Sequence, residues 1–222
     1  AGTMDVNAAC AGFVYGLHLA NGLITSGLHK KILVIAAETL SKVTNYEDRT
    51  TCILFGDGGG AVLVEYDDQQ PGFLSFYLHS EGEGGRHLFC TNLSNRLFGE
   101  VVQDHGKIVQ NGREVYKWAV TAVPKGMQQV AERSSIPLQQ VDWFVPHSAN
   151  LRMIESICEK SSFPLKRTLY SLVEYGNTSA ATIPLSLDQG VRQQKLRAGD
   201  TVLLYGFGGG LTQAGMLLKW TI

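Results

Sequence analysis

The sequence has little that would indicate a membrane-bound, secreted or nucleic-acid-binding protein. No apolar run is long enough to cross a bilayer. The first residues, Ala1–Asp5, lack the basic and apolar regions of a secretory signal. The formal net charge is only -1, so no excess of positive charge favours nucleic acid or an anionic membrane. We therefore predict a protein that binds neither membrane nor nucleic acid.

Cysteine is scarce and scattered. The four cysteines among 222 residues form no CxxC motif and no Cys/His spacing typical of a metal site, so we expect no metal. This usage is typical of a reducing, cytoplasmic compartment, where a cysteine is either a buried hydrophobe or a nucleophile. Cys52, Cys90 and Cys158 have no accompanying motif, and we interpret them as structural.

Helical and extended patterns alternate along the chain, as in an α/β protein. Apolar residues on nearly every face of 8–26 predict a buried helix, and 114–133 has the pattern of an amphipathic helix. Glycine-rich stretches at 56–60 and 208–210 predict tight turns. The other predicted elements are helices at 150–160 and 179–194, loops and short strands over 82–110, and strands at 31–37, 61–65, 73–78, 142–147, 200–206 and 214–220.

A weak internal repeat divides the chain into two α/β units. In each unit a helix is followed by a strand, a glycine turn and a second strand; Cys10 opens the first helix and Asn177 precedes the second. The second unit has further elements before Asn177, whereas the first has almost nothing before Cys10. We therefore expect residues 1–80 to be the remainder of the first half and 81–222 to be a connecting segment and the second half. An absent opening segment would leave an unpaired sheet edge and an exposed apolar face.

Three short motifs carry reactive side chains. Cys10 lies among small residues at the start of an apolar helix, where the helix dipole and free N–H groups favour the nucleophilic thiolate. His147 follows a predicted strand, at the edge where α/β proteins bind ligands. Asn177 lies in a glycine-containing turn before a helix. Taken alone, each also has a structural interpretation: a buried cysteine, a core histidine and a helix N-cap.

Together the three motifs indicate thioester chemistry. Pseudo-symmetric packing of the two halves would bring both helix N-termini and the histidine to one cleft. Cys10 would then take an acyl group, and His147 and Asn177 would donate hydrogen bonds to a carbonyl oxygen that becomes negative.

In these motifs the chain resembles the ketoacyl-acyl-carrier-protein synthase III enzymes of the thiolase superfamily, and the resemblance extends from residue 1 to residue 222. It rests on the strings AACAGF (8–13), FGDG (55–58), VPH (145–147), ANLR (149–152), GNTSAA (176–181) and FGGG (207–210). The implied fold is α/β, with thiolase-like duplicated αβαβα layers whose first half is incomplete at its N-terminus. Family members carry a long segment before the cysteine motif, in keeping with the repeat.

The resemblance implies a two-stage reaction that initiates fatty acid synthesis. An acyl-coenzyme A acylates Cys10; malonyl-acyl-carrier protein then loses carbon dioxide, and its enolate attacks the acyl thioester to give 3-oxoacyl-carrier protein. The family pattern assigns the two donors to the malonyl thioester oxygen to His147 and Asn177. It assigns the oxyanion hole to the backbone N–H groups of Cys10 and Gly209, and the aromatic beside the thiol to Phe207. No cofactor is implied beyond these substrates, and the assembly is expected to be a homodimer.

Outer positions also match the family. Arg49 is similar to the arginine that stacks on the coenzyme A adenine, although Thr50 follows it where the family often has glycine. Gly112 and Asn150 match contacts to the pantetheine arm. Arg152 and Lys117 resemble the basic residues near the tunnel mouth that meet the acidic carrier protein, and we expect Arg113 to add to that patch. A solvated charged face is the alternative interpretation of these three.

Two other functions are compatible with the same residues. One is another Cys/His/Asn condensing enzyme, of the chalcone synthase or hydroxymethylglutaryl-coenzyme A synthase type. The strings around Cys10 and His147 favour the carrier-protein branch. The other is an inactive fragment that only scaffolds or dimerises, a reading suggested by the absent opening segment.

Overall fold

The computed structural model describes residues 1–91, 94–97, 99–102 and 106–222. The α-helices in these ranges are α1 (Gly12–Thr25), α2 (Gly112–Ser134), α3 (Leu151–Ser161), α4 (Leu172–Tyr175) and α5 (Thr182–Arg192). The strands are β1 (Lys31–Thr39), β2 (Asp57–Glu65), β3 (Phe73–Ser80), β4 (Leu88–Cys90), β5 (Arg96–Leu97), β6 (Glu100–Val101), β7 (Ile108–Gln110), β8 (Trp143–Pro146), β9 (Thr201–Gly208) and β10 (Thr212–Lys219). The predicted loop region 82–110 lies partly outside the described residues.

Two sheets organise the molecule. β1 and β2 pair antiparallel along their whole lengths, from Lys31 opposite Glu65 to Thr39 opposite Asp57. The larger sheet has the order β3-β10-β9-β8, in which β8 and β9 are parallel and the other pairs antiparallel. Two small antiparallel pairs, β4-β7 and β5-β6, lie apart from these sheets.

The larger sheet is buried on both faces because its residues alternate between two cores. Val202 and Leu204 of β9 pack into a core with α1, α5 and the β1–β2 pair. Leu203 and Tyr205 point the other way, into a core with α2 and α3. The described residues therefore form four layers: the β1–β2 sheet, α1 with α5, the four-stranded sheet, and α2 with α3. This layering fits the predicted duplicated α/β architecture.

The internal repeat is visible in the order of the elements. The first unit runs from a 3-10 turn (Ala9–Ala11) through α1 to the antiparallel pair β1–β2. The second runs from a 3-10 turn (Ser179–Ala181) through α5 to the antiparallel pair β9–β10. β3, which ends at the predicted boundary between 1–80 and 81–222, pairs with β10 in the larger sheet. We keep the two-part division as a proposal.

The outer face of the β1–β2 sheet is apolar and open. Leu33, Ile35 and Leu63 point outward with relative exposures of 57%, 63% and 57%, while Val34 and Ala36 of β1 are buried. Within the described ranges β1 pairs with β2 alone, so its other edge presents unpaired backbone groups. The exposed edge and apolar face that the repeat predicted are both found. No helix in the part of the chain that the structure describes is long and apolar enough to cross a membrane.

The prediction of a tight turn over 56–60 is wrong. Asp57 to Gly60 are extended and form the beginning of β2. Glycine is required here by close packing against α5: a Cβ atom on Gly60 would lie 2.8 Å from Pro184 Cβ. The Asp57 carboxylate accepts a hydrogen bond from the N–H of Ser41 at 2.8 Å and another from the Ser41 hydroxyl.

The other elements lie close to their predicted positions, with differences at their ends. The helix predicted over 8–26 begins with a 3-10 turn, so α1 itself starts at Gly12. The second glycine turn also differs, because β9 continues through Gly208 and the chain reverses at 209–211. The short helix α4 was not predicted.

The packing of β2 against α5 predicts different responses to alanine at two neighbouring glycines. Gly60→Ala should lower the free energy of unfolding by about 1–3 kcal/mol, because the new methyl group overpacks the contact with Pro184. Gly59→Ala is the matched control, since its Cβ would meet its nearest atom, the Ala36 oxygen, at 3.5 Å. Urea unfolding followed by circular dichroism measures both variants; equal destabilisation would contradict the packing argument.

Candidate active site

The turn that carries Cys10 packs directly against the backbone of β9. A Cβ atom on Gly206 would lie 2.7 Å from Ala11 Cα, and one on Gly208 would lie 2.7 Å from Cys10 Cβ and 2.9 Å from its Sγ. Any side chain at these two positions would collide with the turn. The two glycines of β9 thus set the distance between the start of α1 and the sheet.

The turns that begin the two units have the same local structure. In the first, the Ala9 N–H donates to Asn7 Oδ1 at 3.1 Å; in the second, the Ser179 N–H donates to Asn177 Oδ1 at 2.9 Å. Ala9 and Ser179 both adopt a left-handed backbone, with φ of 45° and 50°. The two turns contact each other, so the repeat brings both helix starts to one place.

The Asn177 side chain has a defined orientation. Its backbone N–H donates to the Leu54 oxygen and its carbonyl accepts from the Gly56 N–H, both at 2.9 Å. Its Oδ1 accepts from the Ser179 N–H, so the amide oxygen is the group that faces the backbone turn. The Nδ2 group therefore remains as a hydrogen-bond donor, in a side chain that is only 8% exposed.

His147 follows β8 directly and is held from several sides. Its backbone N–H donates to the Tyr205 oxygen at 2.7 Å, which continues the pairing of β8 with β9. Its ring meets the Phe207 ring edge-on with centroids 5.3 Å apart, and its Nδ1 lies 2.9 Å from Thr182 Oγ1. Burial lowers the pKa of His147 to about 4, while the nearby Ser179 backbone acts in the opposite direction. The imidazole is therefore neutral at physiological pH.

Cys10, His147 and Asn177 line one cavity of about 1250 Å³, together with Phe207 and Gly209. The structure thus brings together all five residues to which the sequence assigned a role in the chemistry. The cavity also contains apolar side chains of α1 and β1, so much of its wall is non-polar. A thiol, a neutral imidazole and a carboxamide in such a setting are suited to a carbonyl group that gains negative charge.

The thiol of Cys10 is not the thiolate that the sequence predicted. Removal of water by the surrounding protein raises its pKa to about 11, and the charge of Glu38 raises it further. The Ser179 hydroxyl and the backbone N–H groups of Cys10 and Gly209 act in the opposite direction, but they do not outweigh desolvation. The N–H groups of Cys10 and Gly209 nevertheless lie near the sulfur, where an acyl oxygen would be placed.

Three residues of the site were not singled out from the sequence. Glu38 lines the cavity at the end of β1, accepts a hydrogen bond from the Ala180 N–H at 3.3 Å, and has a pKa raised by burial. Ser179 and Thr182 contact the catalytic candidates directly. A carboxylate at the end of a buried strand was a usable signal for Glu38. Thr182, the residue directly after the 176–181 string, had no comparable signal in the sequence.

The residues predicted to bind coenzyme A lie in different places. Arg49 is exposed in a turn and does not line the cavity. Gly112 is the exposed first residue of α2, beside Gln110, which does line the cavity. Asn150 lines the cavity and caps α3, where its Oδ1 accepts from the Met153 N–H at 2.9 Å.

The three basic residues predicted to meet a carrier protein are exposed near the N-termini of two adjacent helices. Arg113 and Lys117 lie on α2, and Arg152 lies on α3, which packs against α2. Lys117 forms an ion pair with Glu114 at 2.7 Å, so part of its charge is neutralised within the helix.

The remaining cysteines are unpaired and differ in burial. Cys158 is 3% exposed and lies 3.4 Å from Thr168 Oγ1, as expected for a structural residue. Cys52 is half-buried, whereas Cys90 is exposed and borders the cavity, so a core role does not describe it. Among the described residues, no group of three His, Cys, Asp or Glu side chains is placed to hold a metal ion.

Comparison with known proteins identifies the family. Residues 4–82 match the 3-oxoacyl-[acyl-carrier-protein] synthase III family, and residues 131–220 match its C-terminal part. Beta-ketoacyl-[acyl-carrier-protein] synthase III 2 of Halalkalibacterium halodurans is 67% identical over 221 residues, which are 100% of this chain and 67% of that protein. The protein of the same name from Bacillus cereus is 57% identical over 218 residues, with 98% of this chain and 67% of the relative covered.

Solved structures agree with this match. The synthase III of Thermus thermophilus superposes with a TM-score of 0.93 at 39% identity, covering 98% of this chain and 67% of that chain. The Aquifex aeolicus enzyme gives a TM-score of 0.90 at 37% identity, with the same two coverages. These similarities confirm the predicted thiolase-like α/β fold. The chain belongs to the 3-oxoacyl-[acyl-carrier-protein] synthase III family.

The position of Glu38 predicts how the reactivity of Cys10 depends on pH. Glu38→Gln removes a negative charge that raises the thiol pKa, so at pH 8 a larger fraction of Cys10 should be thiolate. Alkylation of Cys10 by iodoacetamide, followed by peptide mapping, should therefore be faster at this pH and reach its plateau at lower pH. Glu47→Gln, on an exposed loop, is the control. An unchanged or slower rate in Glu38→Gln would show that the carboxylate does not act on the thiol.

Proposed function

We propose that this chain catalyses the decarboxylative condensation of an acyl-coenzyme A primer with malonyl-acyl-carrier protein, which initiates fatty acid synthesis. The observation that carries the proposal is the shared cavity of Cys10, His147 and Asn177 in a member of the synthase III family. The relatives from Halalkalibacterium halodurans and Bacillus cereus are both named as beta-ketoacyl-[acyl-carrier-protein] synthase III 2.

In the first stage the sulfur of Cys10 attacks the carbonyl carbon of the acyl thioester. The bond from that carbon to the coenzyme A sulfur breaks, and the thiol proton leaves with coenzyme A. The carbonyl oxygen becomes negative in between, and the N–H groups of Cys10 and Gly209 near the sulfur are suited to bind it. Because the resting thiol has a pKa of about 11, we expect its proton to be lost in the course of the attack.

In the second stage the malonyl group loses carbon dioxide and its electron pair passes onto the thioester oxygen. A neutral His147 and the Nδ2 group of Asn177 would donate to this oxygen. The resulting enolate carbon attacks the acyl carbon on Cys10, a carbon–carbon bond forms, and the cysteine sulfur leaves as a thiolate, which takes up a proton from solvent to restore the resting thiol. The product is a 3-oxoacyl-carrier protein.

Neutral donors suit this step because the cavity is largely apolar. In such a medium a preorganised dipole interacts strongly with developing charge and needs no rearrangement when the reaction occurs. A charged imidazolium would be costly to bury, in accordance with the lowered pKa of His147. Phe207 packs edge-on against His147 and so restricts the orientation of the ring.

The outer contacts and the assembly belong to the same proposal. Arg49, Gly112 and Asn150 are proposed to bind coenzyme A or pantetheine, and the exposed cations of α2 and α3 are proposed to meet the carrier protein. We also propose that the reaction needs no cofactor beyond its substrates, that the protein acts in the cytoplasm, and that it forms a homodimer. The four unpaired cysteines support a reducing compartment.

The first stage predicts a covalent intermediate on one cysteine. Incubation with an isotopically labelled acyl-coenzyme A should add the acyl mass to the protein, and peptide mapping should place it on Cys10 and not on the exposed Cys90. Cys10→Ser should not retain a thioester that hydroxylamine cleaves. A folded protein that never gains the acyl mass would identify the chain as catalytically inactive.

The second stage predicts a selective defect when the Asn177 donor is lost. Asn177→Asp preserves an oxygen for the Ser179 N–H but replaces the donor, so malonyl-carrier protein decarboxylation should fall about 10²–10³-fold, and Cys10 acylation much less. His147→Ala should show the same selectivity. Asn45→Asp is the control, because Asn45 makes the same kind of turn with the Glu47 N–H away from the cavity. Equal loss of both stages would contradict the assigned roles.

A further inference from the structure

His147 has a partner whose role in the chemistry the family resemblance did not assign. Its Nδ1 lies 2.9 Å from the hydroxyl oxygen of Thr182, at the first residue of α5. The two side chains are 2% and 0% exposed, so water does not compete for this contact. Thr182 lies behind the ring, on the side opposite to the nitrogen that remains for a substrate.

The hydroxyl of Thr182 has one proton and two nearby acceptors. One is the Ser179 carbonyl oxygen at 2.9 Å, and the other is Nδ1 of His147. The Ser179 oxygen already accepts the backbone N–H of Thr182. The His147 ring also has a hydrogen bond with the Ser179 backbone, which acts to raise the pKa of the imidazole. Because the Ser179 oxygen already accepts the Thr182 N–H, it has less need of the hydroxyl proton than Nδ1 has.

The direction of this hydrogen bond decides what the ring presents to the cavity. A neutral imidazole carries one proton, on either Nδ1 or Nε2. If Thr182 donates to Nδ1, the proton must be on Nε2, and the ring can donate to a substrate oxygen. If Nδ1 carries the proton, Nε2 becomes an acceptor and cannot stabilise negative oxygen.

We propose that Thr182 is the positioning residue that holds His147 in the Nε2–H tautomer, by donating its hydroxyl proton to Nδ1. The inference rests on the proposed function, because only the donor role of His147 gives this tautomer a consequence. Thr182 touches no reacting atom; it acts through the ring that does.

Apart from its contact with the Ser179 oxygen, removal of the Thr182 hydroxyl leaves the hydrogen bonds at the start of α5 in place. The hydroxyls of Ser171 and Ser186 donate to the backbone carbonyl of Thr182, at 3.1 Å and 2.7 Å, and not to its side chain. Thr182→Val keeps the shape and these two bonds while losing the hydroxyl. Thr182→Ser keeps the hydroxyl and loses only a methyl group.

The two variants separate a tautomer effect from a packing effect. Thr182→Val should decarboxylate malonyl-carrier protein about 10- to 100-fold more slowly than wild type, because Nδ1 loses its donor and the proton can move to it. Acylation of Cys10 should change less than threefold, as roughly expected for a step that does not use the ring as a donor. Thr182→Ser should restore decarboxylation to near the wild-type rate.

Nitrogen NMR measures the tautomer without reference to activity. In protein labelled with 15N-histidine, the His147 signals are assigned by their loss in His147→Gln, and a protonated nitrogen is distinguished from a bare one by its shift. Wild type and Thr182→Ser should show a protonated Nε2, and Thr182→Val should shift toward a protonated Nδ1.

Three outcomes would overturn the inference. These are a protonated Nδ1 in wild type, a Thr182→Val variant with wild-type decarboxylation, and equal loss of both stages in that variant. Failure of the proposed function is a separate result, since it would appear as a wild-type protein that neither acylates Cys10 nor decarboxylates malonyl-carrier protein. The tautomer measurement would still report on Thr182 in that case.

Discussion

The contact between the Cys10 turn and the backbone of β9 is the constraint on which the site depends. Because Gly206 and Gly208 have no side chains, the turn approaches the strand as closely as van der Waals contact permits. The sulfur consequently lies near the N–H of Gly209, the group suited to bind an acyl oxygen. The same closeness removes water, and this desolvation keeps the resting thiol protonated. One packing contact therefore sets both where Cys10 lies and how it ionises.

The duplicated turn explains how one local structure provides two kinds of chemistry. In both halves the Oδ1 of an asparagine closes a turn, and the residue two positions after that asparagine, Ala9 or Ser179, has a left-handed backbone. In the proposed mechanism the first half uses the residue that follows, Cys10, as the nucleophile, whereas the second half has Ala180 there. The proposed role in the second half falls to the asparagine itself, because closing the turn with Oδ1 leaves the Nδ2 group of Asn177 as a donor. Contact between the turns places nucleophile and donor in one cavity.

The cavity contains polar groups that are mostly uncharged, and this suits charge that exists only during the reaction. His147 is neutral, and Asn177 and the backbone N–H groups are dipoles fixed by hydrogen bonds elsewhere in the fold. Fixed dipoles in an apolar setting stabilise a developing oxyanion without reorganisation. Glu38 is the exception, since its negative charge opposes ionisation of Cys10. Burial also raises the pKa of Glu38 itself.

The sequence by itself determined the α/β class, the order of the elements and the repeat, because these follow from periodicity. Its short motifs also singled out Cys10, His147 and Asn177 as candidate catalytic residues. Sequence reasoning was wrong about features that depend on contacts with residues far along the chain. The stretch 56–60 was predicted to form a turn, but Gly58 to Gly60 are extended because α5 packs on β2. The ionisation of the thiol was misjudged for a similar reason, since desolvation arises from strands far along the chain. Only the tertiary structure decided which groups meet, including Thr182 behind the imidazole, because a hydrogen bond between residues 35 positions apart leaves no pattern in a single sequence.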